Sequence, residues 1–522
     1  MSPTGSDAGN DCSVEAMPCA TVQRGLDEAA SGGTVFLAAG MYVENLVISK
    51  DVVLQGADSV IDGNLAGRVV AVESGLTAVL RDVAVINGRS THGAGIYNNG
   101  STLTLERVIV SNNQTDDGAN GTLETLGGQG GNGAGIYSEG GSLTIRDSAI
   151  DNNQTGSGGT GQGSNSGGDG GGIFIQNGIL TVESSTISNN QTGDGGSGGT
   201  GNFGQFGGFG GFAGDGAGIY ALNSTMTLTN STVSGNQTGN GNSGSFSRGG
   251  GRGAGIFFEG QTAVLTLTHV TLTNNQTRAG GAGLGAGNGG GLYAAGPTNV
   301  ENSLIAGNVR NGVSHGTTSD CGHNPVSQLG SGDGNLVGDG TGCPSNQAND
   351  QVVDSGMVET AVLHPLTDNG GQTQTHALRS GNPAIDAAAS TPCVNSDQRG
   401  VPRPQESGCD VGAFEFALPI APTVAAAQGS TYEQLVWFHA PPNLEYEVWR
   451  HTSPYFAAGS EGSLVVTLTA VSGTNSWEPT SGGLDDANIN YFYQVRGKIG
   501  SEVSAVETAV GEFTFALVAG SP

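Results

Sequence analysis

The chain has 522 residues; 95 are Gly, and only 12% are charged against a usual ~25%. Acidic residues outnumber basic ones 46 to 17, and the net charge of −29 excludes the basic footprint of a nucleic-acid binder and docking on an anionic membrane surface. Gly without a strict period of three excludes collagen, and the lack of any apolar run of 18 residues excludes a membrane-spanning helix.

Residues 1–62 read as a cap and first coils. The run 20–30 (ATVQRGLDEAA) places Val22, Leu26 and Ala29 on one helical face, and short strands follow at 34–38, Tyr42–Ile48 and Val52–Leu54. A helix closing the open end of a sheet blunts its edge. The start, Met-Ser-Pro-Thr-Gly, has no apolar h-region, so a mature form without its export signal is expected.

Residues 63–310 repeat. Five segments begin at Gly93, Gly133, Gly170, Gly216 and Gly253 and end in Asn-Gln-Thr at Asn113, Asn153, Asn190, Asn236 and Asn275; a degenerate copy starts at Gly289. A unit of about 22 residues with three short strands fits one coil of a parallel β-helix and is too short for a propeller blade. Leu103, Leu143, Leu180, Met226 and Leu265 form one column, Leu105, Ile145, Val182, Leu228 and Leu267 a second, and Val110, Ile150, Ile187, Val233 and Leu272 a third. Spacing by two sends the first two columns inward and the intervening Thr104, Thr144, Thr181, Thr227 and Thr266 outward. Glu106, Arg146 and Glu183 read as coil-to-coil charge partners.

The Gly-rich inserts 116–132, 156–169, 193–215, 239–252 and 278–288 join one Asn-Gln-Thr to the next coil from a single corner. In the longest, Phe203, Phe206, Phe209 and Phe212 recur every third residue, which puts all four on one face of a threefold extended helix. Glycines between them permit close backbone approach. An ordered layer is expected, with the Phe row on the aromatic column or on another subunit; flexible Gly-rich linkers are the alternative.

Residues 311–418 complete the β-helix. Beyond a linker-like stretch at 419–427, residues 419–522 hold all three Trp and strands every 10–15 residues, as in a β-sandwich. Six cysteines fall in three near-neighbour pairs, Cys12 with Cys19, Cys321 with Cys343 and Cys393 with Cys409. Without a C-x-x-C or an adjacent His cluster, three local disulfides and an oxidising compartment are the better reading than zinc.

The entry run CATVQRGLDEAASGGTVFLAAGMYVENLVISKDVVLQG resembles that of pectin-lyase-like right-handed β-helix proteins. The repeats are similar to those of polymorphic outer-membrane-type proteins. The stretches HPLTDNGGQTQTHALRSGNPAIDAAASTPC and DQRGVPRPQESGCDVGAFE, within 364–415, resemble the choice-of-anchor Q segment of bacterial surface and secreted β-helix proteins. The strand order after 419 resembles a fibronectin type III module. The resemblance implies an exported bacterial surface protein and supplies no catalytic residues.

Candidates for chemistry are few. Polysaccharide hydrolysis needs paired carboxylates in a cleft, and Asp116–Asp117 and His92 lack the companions such chemistry requires. Asp333, Asn335 and Asp339 place oxygens at even spacing, a calcium candidate without the pattern of an EF-hand loop; the alternative is a turn closed by Cys343. Tyr97, Tyr137, Phe174, Tyr220, Phe257 and Tyr293 follow the inward residue of each first strand. Pointing outward, they form a ladder for stacking sugars or an interface; covered by inserts or turned inward, they are structural. Each Asn-Gln-Thr is an N-x-T glycosylation acceptor in form, as are Asn99, Asn120, Asn223 and Asn230. The repeated Asn113, Asn153, Asn190, Asn236 and Asn275 equally make an amide ladder.

The expected protein is all-β: a right-handed single-stranded parallel β-helix with Gly-rich inserts, followed by a β-sandwich. Its expected role is that of a secreted or cell-surface scaffold, adhesin or filament subunit without catalysis or cofactor, partnered by itself or by a cell-surface glycan. The alternative is a glycan-binding or polysaccharide-cleaving β-helix.

Overall fold

A computed structural model describes the chain except residues 123–124, 162–164, 199–208, 243–247, 282–283, 312–318, 324–328, 339–341, 390–392, 406, 418–420, 429–432, 439–442, 444, 453–456, 472, 479–491, 500–501, 505–509 and 512–522. Two compact units result, Met1–Glu415 and Phe416–Pro522.

The first unit is a parallel β-helix. One helix, Val22–Glu28, lies at its start and buries Val22, Gly25 and Leu26. Its first N–H groups lack intrahelical partners, and Glu44 accepts from Val22 N–H at 2.7 Å and Gln23 N–H at 3.0 Å. The first strands of nine coils, from Leu46–Ile48 to Cys321–His323, form one parallel sheet, and the second and third strands stack in a larger one. The three apolar columns pair in register from coil to coil, and their members are fully buried. Arg146 Nε reaches Glu183 at 2.7 Å, while Arg81 meets Glu106 at 2.6 Å and Arg107 meets Asp82 at 2.6 Å, so the outward charges link adjacent coils.

The paired Asn of the corner divide two tasks. Asn112, Asn152, Asn189 and Asn274 turn the chain with φ of 54–59°, a region Asn tolerates better than most residues. The Asn that follows points into the core.

The described parts of the inserts form a layer of extended arms beside the β-helix. Outgoing arms bond to the next outgoing arm every third residue: Thr115, Gly118 and Gly121 N–H donate to the carbonyls of Gln154, Ser157 and Thr160 at 3.0, 2.8 and 2.6 Å. Returning arms do the same, with Gly130 and Gly133 donating to Ser166 and Asp169 at 3.0 and 2.9 Å. Further bonds tie each returning arm to its own outgoing arm, such as Gly131 N–H to Asp116 O and Gly168 N–H to Gly156 O, both 2.9 Å. A bonding period of three is that of a polyproline II-type helix, here with its backbone groups paired to neighbouring arms. Glycine is required by contact: a methyl on Gly168 would overlap the Gly131 carbonyl oxygen.

Residues 364–415 fold back along the third strands. Thr186 donates to Gln374 O, the Gln398 amide bonds Thr186 at 2.8 Å and accepts from Thr232 at 2.7 Å, and Ala413 N–H donates to Thr271 at 2.9 Å. Thr186, Thr232, Thr271 and Leu304 are buried beneath this segment, whereas Ile109, earlier in the same outward column, remains 49% exposed. The segment is fastened to itself by ion pairs inaccessible to solvent, Arg403–Glu415 at 2.7 Å and Arg399–Asp397 at 2.8 Å, with the Arg399 guanidinium 3.5 Å above Phe414.

The second unit is an antiparallel sandwich. Val424–Gln428, Glu433–Phe438 and Thr474–Trp477 form one sheet; Glu445–His451, Ser463–Thr469 and Phe492–Ile499 form the centre of the other. Leu435, Trp437, Tyr446, Val448, Tyr493 and Val495 fill its core.

Candidate functional site

The amide and aromatic columns proposed as candidates form structural ladders, and a separate groove is lined by residues of the inserts. The amide ladder runs through the core: Asn113 Nδ2 donates to Asn153 Oδ1, Asn153 to Asn190, Asn190 to Asn236, Asn236 to Asn275 and Asn275 to Asn308, each at 2.9–3.0 Å. It ends on Asp320, which accepts from Asn308 at 2.9 Å. An aspartate fits only at this last rung, where no amide hydrogen has to be passed on. The glycosylation reading of Asn113, Asn153, Asn190, Asn236 and Asn275 is therefore corrected: all five are buried, with both amide atoms engaged.

The aromatic column is a continuous stack. Ring centroids from Tyr97 through Tyr137, Phe174, Tyr220 and Phe257 to Tyr293 lie 4.8–5.3 Å apart, with planes within 7° of parallel. Tyr137, Phe174, Phe257 and Tyr293 are buried. Arg68 lies 4.4 Å above Tyr97, His92 lies 5.4 Å from Tyr137, and Arg252 covers Phe257 and Tyr293 at 4.8 and 4.9 Å. The faces that would stack on a sugar are occupied by the next ring, so of the two readings of this column the stack favours the structural one. Burial, with the nearby Glu139 charge, pushes the Tyr137 hydroxyl up to about 12. The chain enters each coil close to these rings, at Gly133, Gly170, Gly216 and Gly253, with φ of 57–65° and no room for a methyl group.

Phe203 and Phe206 lie outside the described residues. Phe209 and Phe212 are 40% and 46% exposed, with the Arg248 guanidinium 5.6 and 4.9 Å from their rings. Among the described residues, Arg68, His92 and Arg252 lie over the aromatic column.

Disulfides join Cys12 to Cys19, Cys321 to Cys343 and Cys393 to Cys409. Asp333 accepts from the backbone of Gly334 and from the backbone and side chain of Asn349, at 2.7–2.9 Å. Asn335 is buried and bonded to Ser303, Val300, Ser331 and Asp350, and Asp339 lies outside the described residues.

The groove lies where the returning arms enter the coils. The residue before each first glycine forms its own column: His92, Asn132, Asp169, Asp215, Arg252 and Asn288. Each of the first four accepts from the backbone N–H of the member that follows: Asn132 to His92 Nδ1 at 2.9 Å, Asp169 to Asn132 Oδ1 at 2.9 Å, Asp215 to Asp169 Oδ1 at 2.8 Å and Arg252 to Asp215 Oδ1 at 2.6 Å. Arg252 Nη2 also bonds Asp215 Oδ2 at 2.7 Å. Burial, with the Asp215 charge, holds the Asp169 carboxyl well above the usual carboxylate range. Burial raises Asp215 too, against the opposing pull of Arg252. A groove of about 530 Å³ opens over this column, lined from Gln129 through Ser166, Asp169, Phe212, Asp215 and Arg252 to Asn288.

Spacing along the chain does not bring Asp169 and Asp215 together, since they stand 46 residues apart. The available signal was the repeat alignment, one position upstream of its first glycine. No protein-family model matches the chain, and no curated protein matches it.

Proposed function

We propose that the protein is an exported bacterial structural protein, secreted or held at the cell surface, serving as a scaffold, adhesin or filament subunit. In this reading the β-helix is of the pectin-lyase-like, right-handed type with a choice-of-anchor Q-like closing segment, and the sandwich is a fibronectin type III-like module. The carrying observation is the insert layer. Repeated glycines and backbone bonds maintain one ordered surface along an edge of the β-helix, and the most regular polar residues, the corner Asn, support the same coils. Disulfides suit an oxidising compartment.

The test is electron microscopy of intact producing cells labelled with antibody to the chain, alongside fractionation. Surface or medium label, as filaments or as single rods, is expected. Retention in the cytoplasm with reduced cysteines, or turnover of a polysaccharide by the purified chain, would overturn the proposal. Glycan binding is a second reading, and the groove over Asp169, Asp215 and Arg252 favours it.

A further inference from the structure

We infer that this groove binds a single extended oligosaccharide chain lying across the coils. Its lining comes from five successive inserts. Four coil spacings of ~4.8 Å make it about 19 Å long, and a volume of about 530 Å³ over that length makes it narrow. The shape suits one extended chain better than a compact small molecule.

Lining chemistry selects the class of chain. Asp215 and Asp169 offer carboxyl oxygens, Arg252 guanidinium N–H groups, Asn288 an amide and Ser166 a hydroxyl. These mixed acceptors and donors match vicinal hydroxyls. An anionic ligand meets an Arg252 whose charge Asp215 already neutralises. A metal cation meets Arg252, already paired with Asp215 at 2.7 Å. An extended peptide is recognised mainly by main-chain bonding to a free strand edge, but these arms use backbone groups on one another, as in Gly167 N–H to Phe212 O at 3.0 Å and Gly214 N–H to Gly193 O at 3.1 Å. Phe212, 46% exposed at the groove wall with the Arg248 guanidinium 4.9 Å from its ring, supplies apolar ring surface against which a sugar packs. This ring lies on an insert, apart from the buried column.

The inference names a ligand class and a site for the surface protein proposed above. It rests on that reading only for the origin of the glycan, since binding by purified protein and location on cells are separate measurements. The experiment is calorimetric titration of the full chain with linear tetrasaccharides of glucose, galactose, mannose and N-acetylglucosamine, and with tetragalacturonate as the acidic probe. At least one neutral tetrasaccharide should bind at millimolar concentration or below. Phe212→Ala and Asp215→Asn should each weaken it by about tenfold, the loss of one aromatic or charge-assisted contact. Asn at 215 keeps an oxygen for the Arg252 N–H, and an unchanged melting temperature checks that both variants fold. Thr181→Ala, on a different strand, should bind as wild type. Binding of no probe, of the acidic probe alone, or equally by both groove variants and wild type overturns the inference.

Discussion

Replacing Asn190 by Ala tests the amide ladder where it is most enclosed. The Asn190 Oδ1 accepts from the Asn153 backbone N–H at 3.0 Å and its amide at 2.9 Å, while its own Nδ2 donates to Ile150 O at 2.9 Å and Asn236 Oδ1 at 3.0 Å. Asn236 Oδ1 keeps a partner in Asn190→Ala, because the Asn190 backbone N–H still reaches it. The Asn153 N–H and one hydrogen of its amide lose theirs, while Ile150 O keeps its bond in the strand ladder. At ~1–3 kcal/mol for each orphaned buried group, two such losses cost about 2–6 kcal/mol. Asn190→Asp should cost at least as much, since it keeps the acceptor but loses both donors and buries a charge. Gln191→Ala, one residue on and partly exposed, should stay within ~0.5 kcal/mol. Urea unfolding followed by circular dichroism reads the midpoints. An Asn190→Ala midpoint within about 1 kcal/mol of wild type would falsify the claim that the ladder holds the corner.

The core register predicts that Ile187→Asp, fully buried, loses several kcal/mol or fails to fold, while the outward Thr181→Asp is mild; equal thermal shifts would refute it. In the insert layer, Gly168→Ala should speed amide exchange across the adjoining arms, whereas Gly249→Ala, with open space for its methyl, should not; fast exchange already in wild type would remove the layer. Arg403→Met leaves Glu415 buried without its cation and should cost about 3–5 kcal/mol in a thermal or urea melt, an effect absent if the pair is solvated. The raised pKa of Asp169 implies that the folded state holds its proton more tightly than the unfolded chain, so its ionisation destabilises the fold as pH rises from the unfolded value through the folded one. Asp169→Asn should therefore gain stability relative to wild type between pH 5 and 8, and a difference in melting temperature that does not change with pH would count against the shift.

The repeat alone determined the coil, its three apolar columns and the outward threonines, because parallel stacking in register places equivalent residues at ~4.8 Å from one another. It also contained a period of three between Phe209 and Phe212, the period at which the described arms bond one another. Only tertiary structure decided what covers each outward face. Thr186, Thr232 and Thr271 are hidden because residues 364–415 return over them, and no local pattern marks an outward threonine as buried. The same applies to the rings of the aromatic column, whose alternation correctly sends them out of the coil while Arg68, His92 and Arg252 close over them. Asp169 and Asp215 stand 46 residues apart, each beside glycines, and become a pair only when two inserts of unequal length close back to the same corner. Strand periodicity specifies which way a side chain points; the path of distant segments specifies what it meets there.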